Sequence, residues 1–253
     1  MSDAPLLVER HADRVVATLN RPAKRNAIDQ EMVDALHDLC ADLEADPRTL
    51  IVTGGDEVFA AGADIAQLRE RRASDARRAI NATAFIRIAE LPMPVIAAVS
   101  GYALGGGAEL AYAADLRIGT PTLRIGNPET GLGIIAAAGA TWRLPEIVGP
   151  ARASEMLLTG RILDADEALA WGLVSSIHPT DALLDAAHAM TDRIVANDPL
   201  ATRHTKRALR ARRDQHPYVE RELQAELFDS DEKHRRMTAF LERRAARTEK
   251  ESR

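Results

Sequence analysis

The feature that most constrains this chain is a five-residue run, Val95-Ile96-Ala97-Ala98-Val99, that carries no polar side chain and empties into glycine. A strand apolar on both sides needs cover on both faces, which places it at the centre of a sheet flanked by helices. Ser100-Gly101-Tyr102-Ala103-Leu104-Gly105-Gly106-Gly107-Ala108-Glu109 follows. Glycines turn the chain there, and a helix is predicted over about 105–114. Free N–H groups at a helix start point outward with partial positive charge, and glycine lets a ligand approach them. Such a turn suits a phosphate or an oxyanion. The spacing is not Gly-x-Gly-x-x-Gly, and no Lys-Ser/Thr follows as a P-loop requires. Glu109 in the first turn would repel a phosphate, so a carbonyl that becomes negative during reaction fits better.

The rest of the chain alternates around this element. Strands are predicted at 15–19, 50–53, 116–118, 123–125 and 174–177. Asp29 caps a helix to about residue 45, a short helix follows at 65–71, and a charged helix spans 75–91 before Pro92 and Pro94. Further helices are predicted at 139–147, 151–158 and 165–171, the last opened by an Asp164/Glu167 capping box. Only helices follow, at 181–196, 200–213 and 218–245. The reading is an α/β core over 1–197 with a helical carboxy-terminal region over 198–253, the boundary marked by Asn197-Asp198-Pro199. Successive strand-strand-helix units read as turns of a coil.

Net charge excludes some partners. The formal value is -5, which argues against nucleic acid as the main partner. The lone cysteine, Cys40, lies in the apolar pattern of the first helix and reads as a small buried hydrophobe. Met1-Ser2-Asp3-Ala4-Pro5 lacks the features of a secretory signal, and no stretch approaches a membrane span. A cytoplasmic, reduced location is the expectation. The seven histidines are scattered without zinc-like spacing, so no metal is expected.

Two more segments carry possible chemistry. In Phe59-Ala60-Ala61-Gly62-Ala63-Asp64-Ile65 small residues bring backbone close to a ligand, and Asp64 can cap the next helix. In Ile125-Gly126-Asn127-Pro128-Glu129-Thr130-Gly131 a carboxylate sits among glycines and apolar residues, where its pKa rises and it can act as an acid. Each segment alone also reads as an ordinary loop.

In this order, the three segments resemble the enoyl-CoA hydratase/isomerase, or crotonase, family. The likeness spans nearly the whole chain. It includes Leu19-Asn20-Arg21-Pro22 with Asn26-Ala27, Leu158-Thr159-Gly160-Arg161, and Ala239-Phe240-Leu241-Glu242-Arg243. The resemblance implies a coiled β-β-α superhelix and a hydro-lyase acting on an acyl-CoA thioester, within fatty-acid or related acyl-CoA metabolism. It implies an oxyanion hole from the N–H groups of Ala63 and Gly106, with Glu109 activating water and Glu129 protonating the α-carbon. CoA would lie across Lys24, Arg25, Ala61, Gly62, Asp64, Ile65, Leu68 and Gly105, as part of the substrate and with no separate cofactor. The family's carboxy-terminal helices join trimers and hexamers, so a homo-trimer or homo-hexamer is implied.

The chain departs from the family where hydratases carry Pro-Gly-Ala-Gly-Gly after the second glutamate. Here the residues are Ala136-Ala137-Ala138-Gly139-Ala140. A Δ3,Δ2-enoyl-CoA isomerase, or another CoA-thioester enzyme of the same fold, is the alternative this leaves open. A basic run, Arg203, Lys206, Arg207, Arg210, Arg212 and Arg213, reads first as a solvated helix face. Attraction of CoA phosphates, or a non-catalytic scaffold or RNA-binding relative, are its other readings. Lys233-His234-Arg235-Arg236 stands where relatives often have an acidic-glycine pair.

Overall fold

The computed structural model describes residues 4–251; the first three residues, read above for a secretory signal, lie outside it. The chain forms two compact units, one up to Arg193 and one from Ile194.

In the first unit the elements run β1 (Leu6–Arg10), β2 (Arg14–Leu19), α1 (Gln30–Ala45), β3 (Thr49–Thr53), β4 (Val58–Ala60), α2 (Ile65–Glu70), α3 (Ala73–Arg78), α4 (Ile80–Glu90), β5 (Val95–Val99), β6 (Tyr102–Leu104) and α5 (Gly106–Ala113). They continue with β7 (Leu116–Gly119), β8 (Arg124–Gly126), α6 (Ala140–Val148), α7 (Pro150–Thr159), β9 (Ile162–Asp164), α8 (Ala165–Ala170) and α9 (Leu183–Val195), whose last turn opens the second unit. One sheet has the order β1-β2-β3-β5-β7 and the other β4-β6-β8-β9. Only the β1–β2 and β8–β9 pairs are antiparallel. The strand pairs β3/β4, β5/β6 and β7/β8 each send their first member to one sheet and their second to the other. Each turn of chain thus contributes one strand per sheet, which is the expected coil of strand-strand-helix units.

Burial explains why these residues adopt this arrangement. All of β5 is buried, paired in parallel with β3 on one side and β7 on the other. Met32, Val33, Leu36, Leu39, Cys40 and Leu43 form the buried face of α1, whose N-terminus Asp29 caps through the Met32 N–H at 3.0 Å. Burial pushes the Cys40 thiol up to about 12, so it is an inert apolar side chain. The Asp164/Glu167 capping box forms at 3.0 and 3.2 Å.

Several sequence expectations need correction. The charged helix over 75–91 is two helices, broken where Ala79 takes a left-handed conformation with φ 51°. No strand forms over 174–177; Ile177 makes only an isolated bridge to Gly119. The short strands β4, β6 and β9, and the edge strand β1, were not anticipated.

In the second unit α10 (Pro199–Leu209), α11 (Tyr218–Phe228) and α12 (Asp231–Glu251) follow. The helix expected over 218–245 is interrupted at Asp229–Ser230, where the carbonyls of Ala225 and Leu227 are closed by turn bonds. The basic run is only partly a solvated face. Arg207, Arg210, Arg212 and Arg213 are exposed, but Lys206 is buried and Arg203 half-buried. Buried His204 lies 2.7 Å from Glu226 across α10 and α11. No helix of the described residues is long and apolar enough to cross a membrane.

Candidate active site

β6 delivers the chain to Gly105, whose N–H donates to the Gly126 carbonyl at 2.9 Å, and α5 starts at the next residue. A side chain is excluded at Gly107, because a Cβ there would stand 2.2 Å from the Ala60 carbonyl oxygen. That close approach packs the first turn of α5 onto the strand leading into the Ala61–Ala63 loop. The loop itself is held from the other side. Ile28 N–H donates to Gly62 O at 2.8 Å, and Ala61 N–H to Arg25 O at 3.0 Å. Buried Asn26 staples both segments: its Nδ2 donates to Val58 O and Phe59 O, and its Oδ1 accepts from Arg21 N–H.

These constraints bring Ala63 and Gly106 together. A Cβ built on Gly106 would lie 3.7 Å from Ala63 N, and one built on Gly62 would lie 3.7 Å from Gly106 N. The Ile28–Ala63 bridge uses the N–H groups of Ile28 and Asp64, leaving that of Ala63 outside the ladder. Gly106 is the first residue of α5, so its N–H has no partner within the helix. The two amides therefore lie side by side.

Glu109 projects from the same turn and is only 3% exposed. Its Oε1 accepts from Ala138 N–H at 2.7 Å and Ala140 N–H at 3.1 Å. Burial raises its pKa to about 7, against the lowering effect of the Ala140 amide, and repulsion from Glu129 adds to the rise. Of the Ala136–Ala140 turn, the retained glycine is the position with a strict need. Gly139 has φ 147°, and a Cβ there would lie 2.3 Å from Arg143 Nη1. The neighbouring alanines keep the amides that hold Glu109.

Glu129 is 8% exposed and lies in a single turn of 3-10 helix, Pro128–Leu132. Its Oε1 is 3.0 Å from where a Gly105 Cβ would be, so it faces the same glycine turn. Beneath it lies a polar network that the sequence did not reveal. Asn127 Nδ2 reaches Glu129 Oε1 and Gly105 O, both at 3.4 Å, while its Oδ1 accepts from the Tyr112 hydroxyl at 3.1 Å. Glu129 Oε2 is buried and lacks a hydrogen-bond partner among the described residues. Burial raises its pKa too. An apolar cavity of about 270 Å³, walled by Ile135, Ala136, Leu157 and Leu158, adjoins Glu129.

The remaining expected residues lie in or beside the Ala61–Ala63 loop. Lys24 and Arg25 are exposed, and the Arg25 guanidinium lies 5.2 Å from the centre of the Tyr102 ring. Asp64 caps α2 through the N–H groups of Ala66 and Gln67. Ile65 is exposed and Leu68 half-buried. The sequence reading assigned no role to Asn26, Asn127 or Tyr112. Only Asn26 and Asn127 carried a local signal, each lying beside a segment already singled out.

Comparison with known proteins fits this geometry. A family model described as enoyl-CoA hydratase/isomerase matches residues 9–251. The short-chain-enoyl-CoA hydratase of Clostridium acetobutylicum is 35% identical over 248 residues, covering 94% of this chain and 95% of the relative. The crotonyl-CoA hydratase of Syntrophomonas wolfei is 37% identical, covering 95% and 96%. The solved structure of an enoyl-CoA hydratase from Bacillus anthracis superposes with a TM-score of 0.89 at 31% identity, covering 94% and 96%.

Proposed function

The chain belongs to the enoyl-CoA hydratase/isomerase family, and from that premise we propose that it adds water to a 2-trans-enoyl-CoA, giving a 3-hydroxyacyl-CoA. The observation that carries this reading is the pair of buried carboxylates, Glu109 and Glu129, placed around one glycine turn beside two neighbouring amides. Like charges in so dry a site resist ionising together, which favours a pair that shares one proton. Hydration needs that state: one carboxylate to take a proton and one carboxylic acid to give one.

Burial raises the pKa of both; in the reacting complex we assign the proton to Glu129 and leave Glu109 ionised. Two backbone N–H groups favour the ionised form of Glu109, whereas Glu129 Oε2 has no donor to stabilise charge. Glu109 accepts a proton from water as the water oxygen bonds to the β-carbon. The π electrons shift to the thioester oxygen, where the Ala63 and Gly106 N–H groups stabilise the growing charge. As the enolate collapses, Glu129 transfers its proton to the α-carbon. Proton exchange with solvent then resets both groups. Donors aimed at charge that exists only during reaction lower the barrier rather than tighten ground-state binding. The chemistry calls for no metal or redox group.

CoA lies across the Ala61–Leu68 loop, with Lys24 and Arg25 attracting its phosphates. The second unit's exposed Leu209, Tyr218, Phe228, Met237, Phe240 and Leu241 support assembly into a homo-trimer or homo-hexamer. Adding the protein to crotonyl-CoA should lower the enoyl-thioester absorbance. No fall with short, medium or long enoyl chains would end this reading.

A further inference from the structure

The break between α3 and α4 has a chemical result. Because Ala79 takes a left-handed conformation, the chain turns there and α4 starts afresh, with Asn81 in its first turn. Asn81 does not serve the helix as a cap, since α4 begins without a side-chain capping bond. Its Oδ1 is buried and has no hydrogen-bond partner among the described residues. Leaving such an acceptor unpaired is costly, and an apolar residue would suit a helix whose neighbours Ala82, Ala84, Phe85 and Ile88 are buried. The other end of the amide explains its presence. Asn81 Nδ2 stands 3.6 Å from the point where a Gly106 Cβ would be, and Ala63 N is 3.7 Å from that same point.

We propose that Asn81 supplies a third hydrogen-bond donor at the oxyanion position, its Nδ2 joining the Ala63 and Gly106 amides on the thioester oxygen as it becomes an enolate. This rests on the assignment of those amides as the oxyanion hole. The donor comes from a side chain of α4, whereas the other two belong to the backbone. With no hydrogen bond at Oδ1, the amide is less tightly fixed than a backbone donor. Its effect should therefore fall below the hundred- to thousandfold typical of removing a well-held oxyanion donor.

Two near-isosteric variants test this, Asn81→Leu and Asn81→Asp, each checked for a native-like melting curve. The first readout is turnover of crotonyl-CoA. The second is the pH at which bound acetoacetyl-CoA, a thioester with an acidic α-proton, becomes an enolate, followed by the enolate absorbance. Asn81→Leu should lower kcat by roughly 10- to 100-fold with KM nearly unchanged, and shift enolate formation upward by about one to two pH units. Asn81→Asp, which presents only acceptors, should lose more on both. Enolate formation as in the unaltered protein for Asn81→Leu, or retained in Asn81→Asp, overturns the proposal, as does a change confined to KM. The enolate readout needs no turnover. An unaltered protein that forms the enolate but hydrates nothing would sink the hydratase reading alone, and a normal hydratase with an unmoved enolate would sink Asn81 alone.

Discussion

Every residue of α5 is buried, whereas α2 and α3 bury none. The Ala61–Ala63 loop that meets α5 leads directly into α2, yet the two regions are built on opposite principles. The α5 turn is fixed by close backbone approaches that leave no room for a side chain. The segment of α2 and α3 is charged, short-jointed and buries no side chain. A reaction that depends on aligned amides and a half-protonated carboxylate pair needs the first kind of construction. Admitting a long, flexible thioester suits the second, since segments with few buried contacts open at little cost.

The contrast breaks most visibly at the carboxylates. Glu109→Gln and Glu129→Gln should each lower kcat by about 10³-fold, within the range typical of losing a general acid or base. Comparable loss in both variants fits hydration; loss at Glu129 alone, with conversion of 3-enoyl substrates, would point to isomerisation instead.

Next in size is Gly107→Ala. Its methyl group would run into the Ala60 backbone, so the substitution should destabilise the fold by about 3 kcal/mol or more, read from urea denaturation. A loss below about 1 kcal/mol would mean that the α5 turn is more yielding than described.

The third prediction concerns pH. The Glu109 pKa rises from an ordinary 4.5 to about 7 on folding. A raised carboxyl contributes its stability below the unfolded value and loses it as pH climbs through the folded one. Glu109→Gln has no such loss, so its stability advantage should grow between pH 5 and pH 8, by at most about 3 kcal/mol. Melting curves at the two pH values give the answer, and a constant gap would contradict it. The smallest effect belongs to the looser region. Ala79→Gly removes a left-handed alanine and should stabilise the chain by about 0.5–1 kcal/mol in thermal melts, the reverse in sign of the change at Gly107.

How much of this was legible in sequence follows the same divide. α1 and β5 could be read directly, because a buried face imposes a period and a doubly covered strand imposes continuous apolarity. Glu109 and Glu129 stood out as carboxylates in apolar company. The three-residue strands β4, β6 and β9 had no pattern to read, since partners distant in sequence hold them in place. The 75–91 break fell at an alanine, which carries no local signal for a left-handed turn. The clamp on Glu109 joins residues 29 and 31 positions apart, and it uses amides that every non-proline residue possesses.

That last property bears on how the protein tolerates change over generations. The groups assigned to hold the oxyanion at Ala63 and Gly106, and the groups fixing Glu109 at Ala138 and Ala140, are all main-chain N–H. Exchanging one side chain for another leaves each of them in place, proline excepted. Loops that look divergent can thus drift around a constant inner surface. Ala140, where the resemblance implies a glycine, still supplies its N–H to Glu109.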